Sequence, residues 1–217
     1  MITKNNINLH ILKASGRLDP YAKDIEKIFS YVIKEVSEKI KISNIDIIVH
    51  DNPRFTIPEL GIGGHTHSPD FVVISLDPKF PNFSEKTIGK ELDRTLHHEL
   101  NHVARWKTVG YGTTLLGALI SEGLADHFER EITNKNLNPW SVALDRSQIK
   151  QMMKRAEKEY NNKNYNHNEW FFGSKEKGIP RWTGYTLGYN LVAEYLEKNP
   201  SKKPSQLHNL KAEKFIK

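Results

Sequence analysis

The chain has 217 residues, no cysteine and a formal net charge of +6 at pH 7. Without cysteine, disulfide frameworks and cysteine-ligated zinc sites are excluded, and a hydrophobic content of 37% with a mean hydropathy of −0.61 is typical of a soluble protein. No apolar run approaches the roughly 20 residues of a membrane-spanning helix, and the first residues lack the apolar core of a secretory signal. We therefore expect a cytoplasmic protein with no membrane partner.

The positive charge comes largely from lysines that are scattered along predicted helix faces and through the C-terminal stretch. Such a charge can favour nucleic acid, but no nucleic-acid recognition motif accompanies it. We interpret it as solvated helix surface and do not expect a nucleic-acid partner. No feature of the sequence fixes an oligomeric state.

Hydrophobic spacing in the first half predicts a small sheet with helices. Asp19-Pro20 has the order of a capping residue followed by a first-turn proline, which predicts a helix from there to about Lys41. Residues 45–50 and 71–76 are predicted strands, and the continuous apolar run of the second predicts an interior position in the sheet. Residues 57–67 are predicted to include a shorter strand interrupted by glycines.

The second half is predicted to be mostly helical. After Asn82 a helix should run to about Lys107, and an asparagine-rich stretch, residues 161–168, is predicted to be an exposed loop. The overall expectation is an α+β fold in one domain, with an N-terminal α/β lobe of about residues 1–108 and a helical lobe of about 109–217 around a cleft that holds the active site. The other predicted helices are about 113–133, 140–160 and 184–196, with a short one from Pro204.

The most informative motif is HExxH, which His98, Glu99 and His102 form in the predicted helix that ends near Lys107. Residues four apart lie on the same face of a helix, so His98 and His102 can direct two imidazole nitrogens at one metal ion. Glu99 lies one step round the helix, where it can act as the general base of a zinc hydrolase. A catalytic zinc needs a third protein ligand and keeps its fourth position for water.

Glu122 is the candidate third ligand. It lies in the middle of an otherwise apolar predicted helix, where an unpaired carboxylate would be costly and coordination to zinc would remove that cost. Asp126 follows four residues later on the same face and could orient a ligand histidine through the other N–H of its ring. The sequence therefore predicts one Zn²⁺ per chain.

This set of residues resembles the gluzincins, the thermolysin-like metallopeptidases whose third ligand is a glutamate on the next helix. The resemblance covers His98, Glu99, His102, Glu122 and Asp126 with the family's spacing, and it implies a zincin-like fold. In that family an aspartate four residues after the glutamate supports the first histidine, which implies this role for Asp126.

A narrower resemblance, to a bacterial family of predicted zinc-dependent proteases, spans roughly the last two-thirds of the chain. Residues 115–128 and 180–189 carry it. It implies the same fold and metal chemistry and does not identify a substrate.

In zincins a strand at the sheet edge lines the cleft and pairs with an extended substrate. Gly63, Gly64 and His65 fall where that edge should be, and exposed backbone groups there could add a peptide as a further strand. Two alternatives stay open for this segment. It could be a flexible turn, and His65 could be a solvated histidine with no ligand.

Peptide hydrolysis also needs a hydrogen-bond donor for the oxyanion of the tetrahedral intermediate. Tyr185 and Tyr189 lie one turn apart on a predicted helix, and we favour Tyr185 for this role. The alternative is that both rings pack in the core. His97 and His127 point away from the motif residues next to them, so we expect neither to be a ligand.

The sequence is thus interpreted as a zinc metallopeptidase of the gluzincin type that acts on a peptide or protein substrate, with Glu99 as general base and acid. Two alternatives use the same residues. One is a zinc hydrolase of non-peptide amides, and the other is a non-catalytic binding or regulatory module that the metal stabilises.

Overall fold

A computed structural model describes residues 2–4 and 6–217 of the chain. It contains two compact units, the first ending at Trp106 and the second comprising Lys107–Lys217. No helix among these residues is long and apolar enough to cross a membrane. Whether the two units together form one domain stays a prediction.

The first unit contains a five-stranded sheet with the strand order β1-β2-β3-β5-β4. Its parallel pairs are β2 with β3 and β3 with β5, while β1 and β4 pair antiparallel to their neighbours at the two edges. The interior position predicted for β5 is confirmed. The strands are β1 (Ile2–Lys4), β2 (Ile7–Ile11), β3 (Ile45–Asp51), β4 (Ile62–Ser68) and β5 (Phe71–Leu76).

Two helices cover the sheet of this unit. The first, α1 (Ala22–Lys39), connects the parallel strands β2 and β3, as such a connection requires. The second, α2 (Leu92–Trp106), packs against α1 and against β4 and β5. The predicted cap at Asp19 is wrong, because this residue lies inside a 3₁₀ turn, Asp19–Tyr21, and the residue at the N-cap of α1 is Tyr21.

The apolar faces of α1 and α2 form the core of the unit together with alternate strand residues. The apolar residues of α1 that recur at helical spacing are buried, except Ile28, which is half-exposed; the buried ones are Ile25, Phe29, Val32, Ile33 and Val36. A π-helical turn, Ser84–Glu91, leads directly into α2, and Thr87 within it donates a hydrogen bond to the Leu60 carbonyl at 2.8 Å. The inward residues of α2 and this turn are Ile88, Leu92, Leu96, Leu100 and Val103.

The second unit is helical, as predicted, but two of its boundaries differ from the prediction. The helix expected over 140–160 is broken, since Asp145 and Gln148 form a capping box that starts a new helix after a 3₁₀ turn, Pro139–Val142. The asparagine-rich loop ends earlier than predicted, because Asn166 caps a short helix. The helices are α3 (Leu115–Thr133), α4 (Arg146–Glu159), α5 (His167–Phe172) and α6 (Thr183–Lys198), and 3₁₀ turns follow at Pro204–Gln206 and Ala212–Lys214.

Two glycines bring α3 and α6 into backbone contact. A Cβ added to Gly188 would lie 2.0 Å from the Leu119 carbonyl oxygen, and one added to Gly123 would lie 2.2 Å from the Gly188 carbonyl oxygen. Only glycine permits this approach at both positions. The crossing holds the middle of α3, where Glu122 and Asp126 lie, in a fixed place relative to α6.

The mixed α and β composition predicted from the sequence is confirmed, with the sheet in the first half and helices in the second. The zincin-like arrangement stays a prediction. Strands β1 and β2 were not predicted, although Ile7 and Leu9 of β2 are buried with the alternation of a strand.

Candidate metal centre

The two histidines of the HExxH motif lie on one face of α2. The Nε2 atoms of His98 and His102 are 3.0 Å apart, and their rings meet nearly edge to face, with centroids 4.7 Å apart. Ligand nitrogens that share a tetrahedral zinc at 2.0–2.1 Å are separated by about 3.3 Å. The two nitrogens therefore converge in a way that suits a shared metal ion.

The Glu99 carboxylate is buried and is held from β4. The Thr66 hydroxyl lies 2.7 Å from Glu99 Oε2 and 3.0 Å from the Glu99 carbonyl oxygen, and it can donate to either. Gly64, on the same face of β4, lies against the other carboxylate oxygen, since a Cβ at this position would be 2.5 Å from Oε1. Glycine at position 64 thus leaves the space that the carboxylate occupies.

The predicted substrate segment is part of the edge strand β4, so the interpretation of Gly63 and Gly64 as a flexible turn is wrong. A Cβ at Gly63 would lie 2.1 Å from the Phe55 carbonyl oxygen, so this glycine is needed for packing. The His65 side chain is exposed and meets the ring of His67 edge to face at 4.2 Å.

Glu122 lies in the middle of α3 and is only 6% exposed. The Tyr111 hydroxyl donates a hydrogen bond to Glu122 Oε1 at 2.6 Å. Ser121 in turn donates to the Tyr111 carbonyl oxygen and anchors the segment that carries this tyrosine. The sequence predicted that a carboxylate in this apolar helix needs a partner. The phenol of Tyr111 is such a partner.

Two tyrosines, Tyr111 and Tyr165, interact with this carboxylate. Burial, together with the charge of Glu122, raises the pKa of Tyr111 well above its usual value of 10.0. Electrostatic interactions with Tyr185 and Tyr165 contribute less to that rise. Burial and the Glu122 charge also raise the pKa of Tyr165 to about 12. Tyr111 and Tyr165 therefore keep their protons at neutral pH, which suits both phenols to donate hydrogen bonds.

His98, His102 and Glu122 form a cluster that could hold a metal ion, since one ligand atom from each lies within 4.8 Å of the others. Two imidazole nitrogens and one carboxylate oxygen are a ligand set used by catalytic zinc. Among the described residues this is the one group of three or more histidine, cysteine or acidic side chains with such spacing.

Asp126 is buried and is held by residues of the 3₁₀ turn that precedes α4. Its carboxylate accepts hydrogen bonds from Ser141 Oγ at 2.7 Å and from the Trp140 indole N–H at 3.1 Å. These donors fix the orientation of the carboxylate. The role predicted for it, support of a ligand histidine, stays a prediction.

The two tyrosines of α6 have different surroundings. Tyr185 is half-exposed, and its ring packs edge to face on Phe171 with centroids 5.0 Å apart. Tyr189 is buried, its ring stacks on His127 at 4.0 Å, and its hydroxyl accepts a hydrogen bond from Arg130 at 2.9 Å. The hydroxyl of Tyr189 is thus engaged with α3, and Tyr185 is the more exposed of the two tyrosines.

His97 and His127, the histidines not expected to be ligands, have structural partners. His97 Nδ1 is 2.7 Å from the Asp93 carbonyl oxygen, and His127 Nε2 is 3.0 Å from the Tyr189 carbonyl oxygen. Burial lowers the pKa of His127 below 6.5, against the smaller raising effect of its bond to Tyr189. His127 is therefore neutral in the folded state at neutral pH.

This pKa predicts that the metal-free protein loses stability as the pH falls below about 6.5, the pKa of an unfolded histidine. The unfolded state takes up the proton first, so stability declines until the pH passes the lower folded pKa of His127. In His127→Gln, whose amide can still donate to the Tyr189 carbonyl, we expect urea unfolding midpoints to change less between pH 7 and pH 5. An equal decline in both proteins would show that His127 does not contribute.

Sequence reasoning missed Thr66, Tyr111 and Tyr165 as partners of the motif residues. Thr66 had a signal, because it shares a strand face with Gly64. Tyr111 and Tyr165 had none, since they lie in irregular segments whose approach to Glu122 depends on how the second unit packs.

The family model described as "Predicted Zn-dependent protease (DUF2268)" matches residues 25–217. No curated protein and no solved structure matches the chain. The family match includes all three residues of the HExxH motif, Glu122 and every helix of the second unit. The chain belongs to this family of predicted zinc-dependent proteases.

Proposed function

We propose that the protein is a zinc metallopeptidase of the gluzincin type, in which His98, His102 and Glu122 hold one zinc ion. The observation that carries the proposal is the convergence of these three side chains, whose ligand atoms lie within 4.8 Å of one another. Membership of a family described as zinc-dependent proteases supports it. The donor set also fits, since two neutral imidazoles and one carboxylate suit zinc and leave a position for water.

When bound, zinc supplies Lewis acidity that lowers the pKa of a water molecule to about 7 and polarises a substrate carbonyl. Glu99 accepts the proton of the attacking water and delivers it to the leaving amine. The hydrogen bond from Thr66 to Oε2 leaves the Oε1 atom of Glu99, which faces Gly64, to carry that proton.

Three further residues complete the proposal. The Tyr185 hydroxyl donates a hydrogen bond to the oxyanion, and the half-exposed position of this residue, within electrostatic range of Tyr111, supports the role. Asp126, held by Trp140 and Ser141, orients a ligand imidazole through the ring N–H that the metal does not use. Tyr111 keeps the Glu122 carboxylate in one orientation through its 2.6 Å hydrogen bond.

The substrate is proposed to be a peptide in extended form that pairs with β4. This strand is at the edge of the sheet, and its residue Gly64 lies directly beside the Glu99 carboxylate. Main-chain hydrogen bonds to an edge strand bind peptides with little dependence on sequence. Gly63, Gly64 and His65 would thus place a scissile bond next to the general base.

Metal analysis and hydrolysis of fluorescein-labelled casein test the proposal together. We expect one zinc per chain by elemental mass spectrometry, and casein cleavage that 1,10-phenanthroline abolishes and added zinc restores. Cleavage that persists after the zinc has been removed would contradict a metallopeptidase. Zinc-loaded protein that cleaves neither casein nor a mixed peptide library would contradict peptide hydrolysis and favour a non-peptide substrate.

A further inference from the structure

Thr66 is the hydrogen-bond donor that holds the Glu99 carboxylate. Its side chain is 5% exposed, and its hydroxyl lies 2.7 Å from Oε2. A hydrogen bond from a hydroxyl to a carboxylate with this O···O distance is charge-assisted and belongs to the stronger hydrogen bonds in proteins. The same hydroxyl lies 3.0 Å from the Glu99 carbonyl oxygen, which is the alternative acceptor for its single proton. One side chain of β4 thus contacts both the side chain and the backbone of a single residue of α2.

The other oxygen of the carboxylate, Oε1, lies against the backbone of β4 at Gly64. A Cβ at Gly64 would meet Glu99 Oε1 at 2.5 Å and Glu99 Cγ at 2.7 Å. The same Cβ would meet Thr95 Cγ2, one helical turn before Glu99, at 2.7 Å. Thr66 and Gly64 alternate with outward residues along the strand, so both act from the face that lies on α2.

A general base must be held within hydrogen-bond reach of the proton it accepts, and small displacements of such groups lower rates strongly. Glutamate has three side-chain torsions, and fixing them needs a contact near the carboxylate itself. Packing against the backbone of β4 limits the space that the carboxylate can occupy but does not set its orientation. The hydrogen bond from Thr66 sets the orientation, because it holds one oxygen and leaves the other facing Gly64.

We propose that Thr66 is a positioning residue, which fixes the Glu99 carboxylate so that Oε2 is held by the protein and Oε1 exchanges the proton with water and leaving group. This inference rests on the proposed function and deepens it. It assigns to β4 a second task besides substrate pairing, since the strand that would bind the peptide also orients the base that acts on it.

The test compares Thr66→Val, which keeps the shape and removes the hydroxyl, with Thr66→Ser, which restores the hydroxyl. On fluorescein-labelled casein we expect Thr66→Val to lower kcat by about 10- to 100-fold, the effect of losing a hydrogen bond to a charged group. KM and zinc content should stay within about twofold of wild type, and Thr66→Ser should recover most of kcat. Unchanged kcat in Thr66→Val, with Glu99→Gln inactive, would overturn the proposal.

Thr87→Val is the matched control for loss of a buried hydroxyl. Thr87 lies in the same unit, is fully buried, and donates a hydrogen bond to the Leu60 carbonyl at 2.8 Å. We expect this variant to be destabilised about as much as Thr66→Val while its kcat stays at the wild-type value. An equal loss of kcat in both variants would mean that Thr66 acts through general stability, which contradicts a positioning role.

A second measurement needs no substrate and separates this inference from the proposed function. The order of the Glu99 side chain, read from carbon-13 relaxation of zinc-loaded labelled protein, should fall in Thr66→Val and be retained in Thr66→Ser. Equal order in all three proteins would overturn the positioning role even if casein is cleaved. Lower order only in Thr66→Val, in a protein that cleaves no peptide, would retain the positioning role and contradict peptide hydrolysis alone.

Discussion

Glu99→Gln is expected to lower kcat for casein cleavage by about 10²- to 10⁴-fold, the usual contribution of a general acid–base group. The substitution keeps the size of the side chain, and the amide oxygen of glutamine can still accept the hydrogen bond from Thr66. The substitution removes the negative charge and with it the capacity to take up a proton. Zinc content, measured by elemental mass spectrometry on the same preparation, should equal that of wild type.

Glu85→Gln controls for the change of one charge. Glu85 is exposed, lies in the π-helical turn before α2, and pairs with Lys90 at 3.1 Å. Since an exposed ion pair contributes little to stability, we expect normal turnover in this variant. Residual hydrolysis by Glu99→Gln above about a tenth of wild type would be too much for a general base, and another group would have to take the proton.

The elements that carry the motif residues were predictable because each has a long, regular apolar pattern. The inward residues of α2 recur every three or four positions, and the run of β5 marks an interior strand. Such patterns depend only on neighbours in the sequence. The same is true of the HExxH spacing, since helix geometry alone brings His98 and His102 together.

Shorter elements were predicted less well, for identifiable reasons. In β2 only three apolar residues alternate, which is too few to distinguish a strand from an irregular N-terminal segment. The helix break at Asp145 had a signal in the capping box with Gln148, but the apolar spacing on both sides of it obscured the break. In α5 the asparagine at position 166 was interpreted as loop composition, whereas it is the N-cap of the helix.

The specific polar contacts of the motif residues could not be predicted from the sequence, although the strand face of Thr66 could. Thr66 and Glu99 are 33 positions apart, and Tyr111 and Glu122 are 11 apart across a turn. A hydrogen bond of this kind depends on register, helix rotation and rotamer together. The sequence could show that a buried carboxylate at position 122 needs a partner, but it could not show that a phenol supplies one.

The hydrogen bond from Tyr111 changes the argument that Glu122 is a metal ligand. A hydrogen bond from Tyr111 already offsets part of the cost of burying the carboxylate, so burial alone does not require a metal. What favours coordination is the convergence of Glu122 with two imidazoles. Each of these nitrogens is a weak ligand in isolation, and a negatively charged oxygen adds both the third bond and charge neutralisation.

Glu122→Ala is therefore expected to weaken zinc binding by more than about 100-fold, since loss of an outer partner of a ligand already costs 10- to 100-fold. Zinc affinity would be measured by competition with a chromophoric chelator.

Glu129→Ala is the matched control, because Glu129 is a second buried carboxylate of α3, which accepts hydrogen bonds from Thr133 at 2.8 Å and from Asn138 at 3.3 Å. Both variants remove a buried charge and leave donors unsatisfied, so a loss of stability is common to them. A loss of zinc affinity confined to position 122 would identify the ligand, whereas undiminished affinity in Glu122→Ala would leave two histidines as the whole site and remove the basis for a gluzincin mechanism.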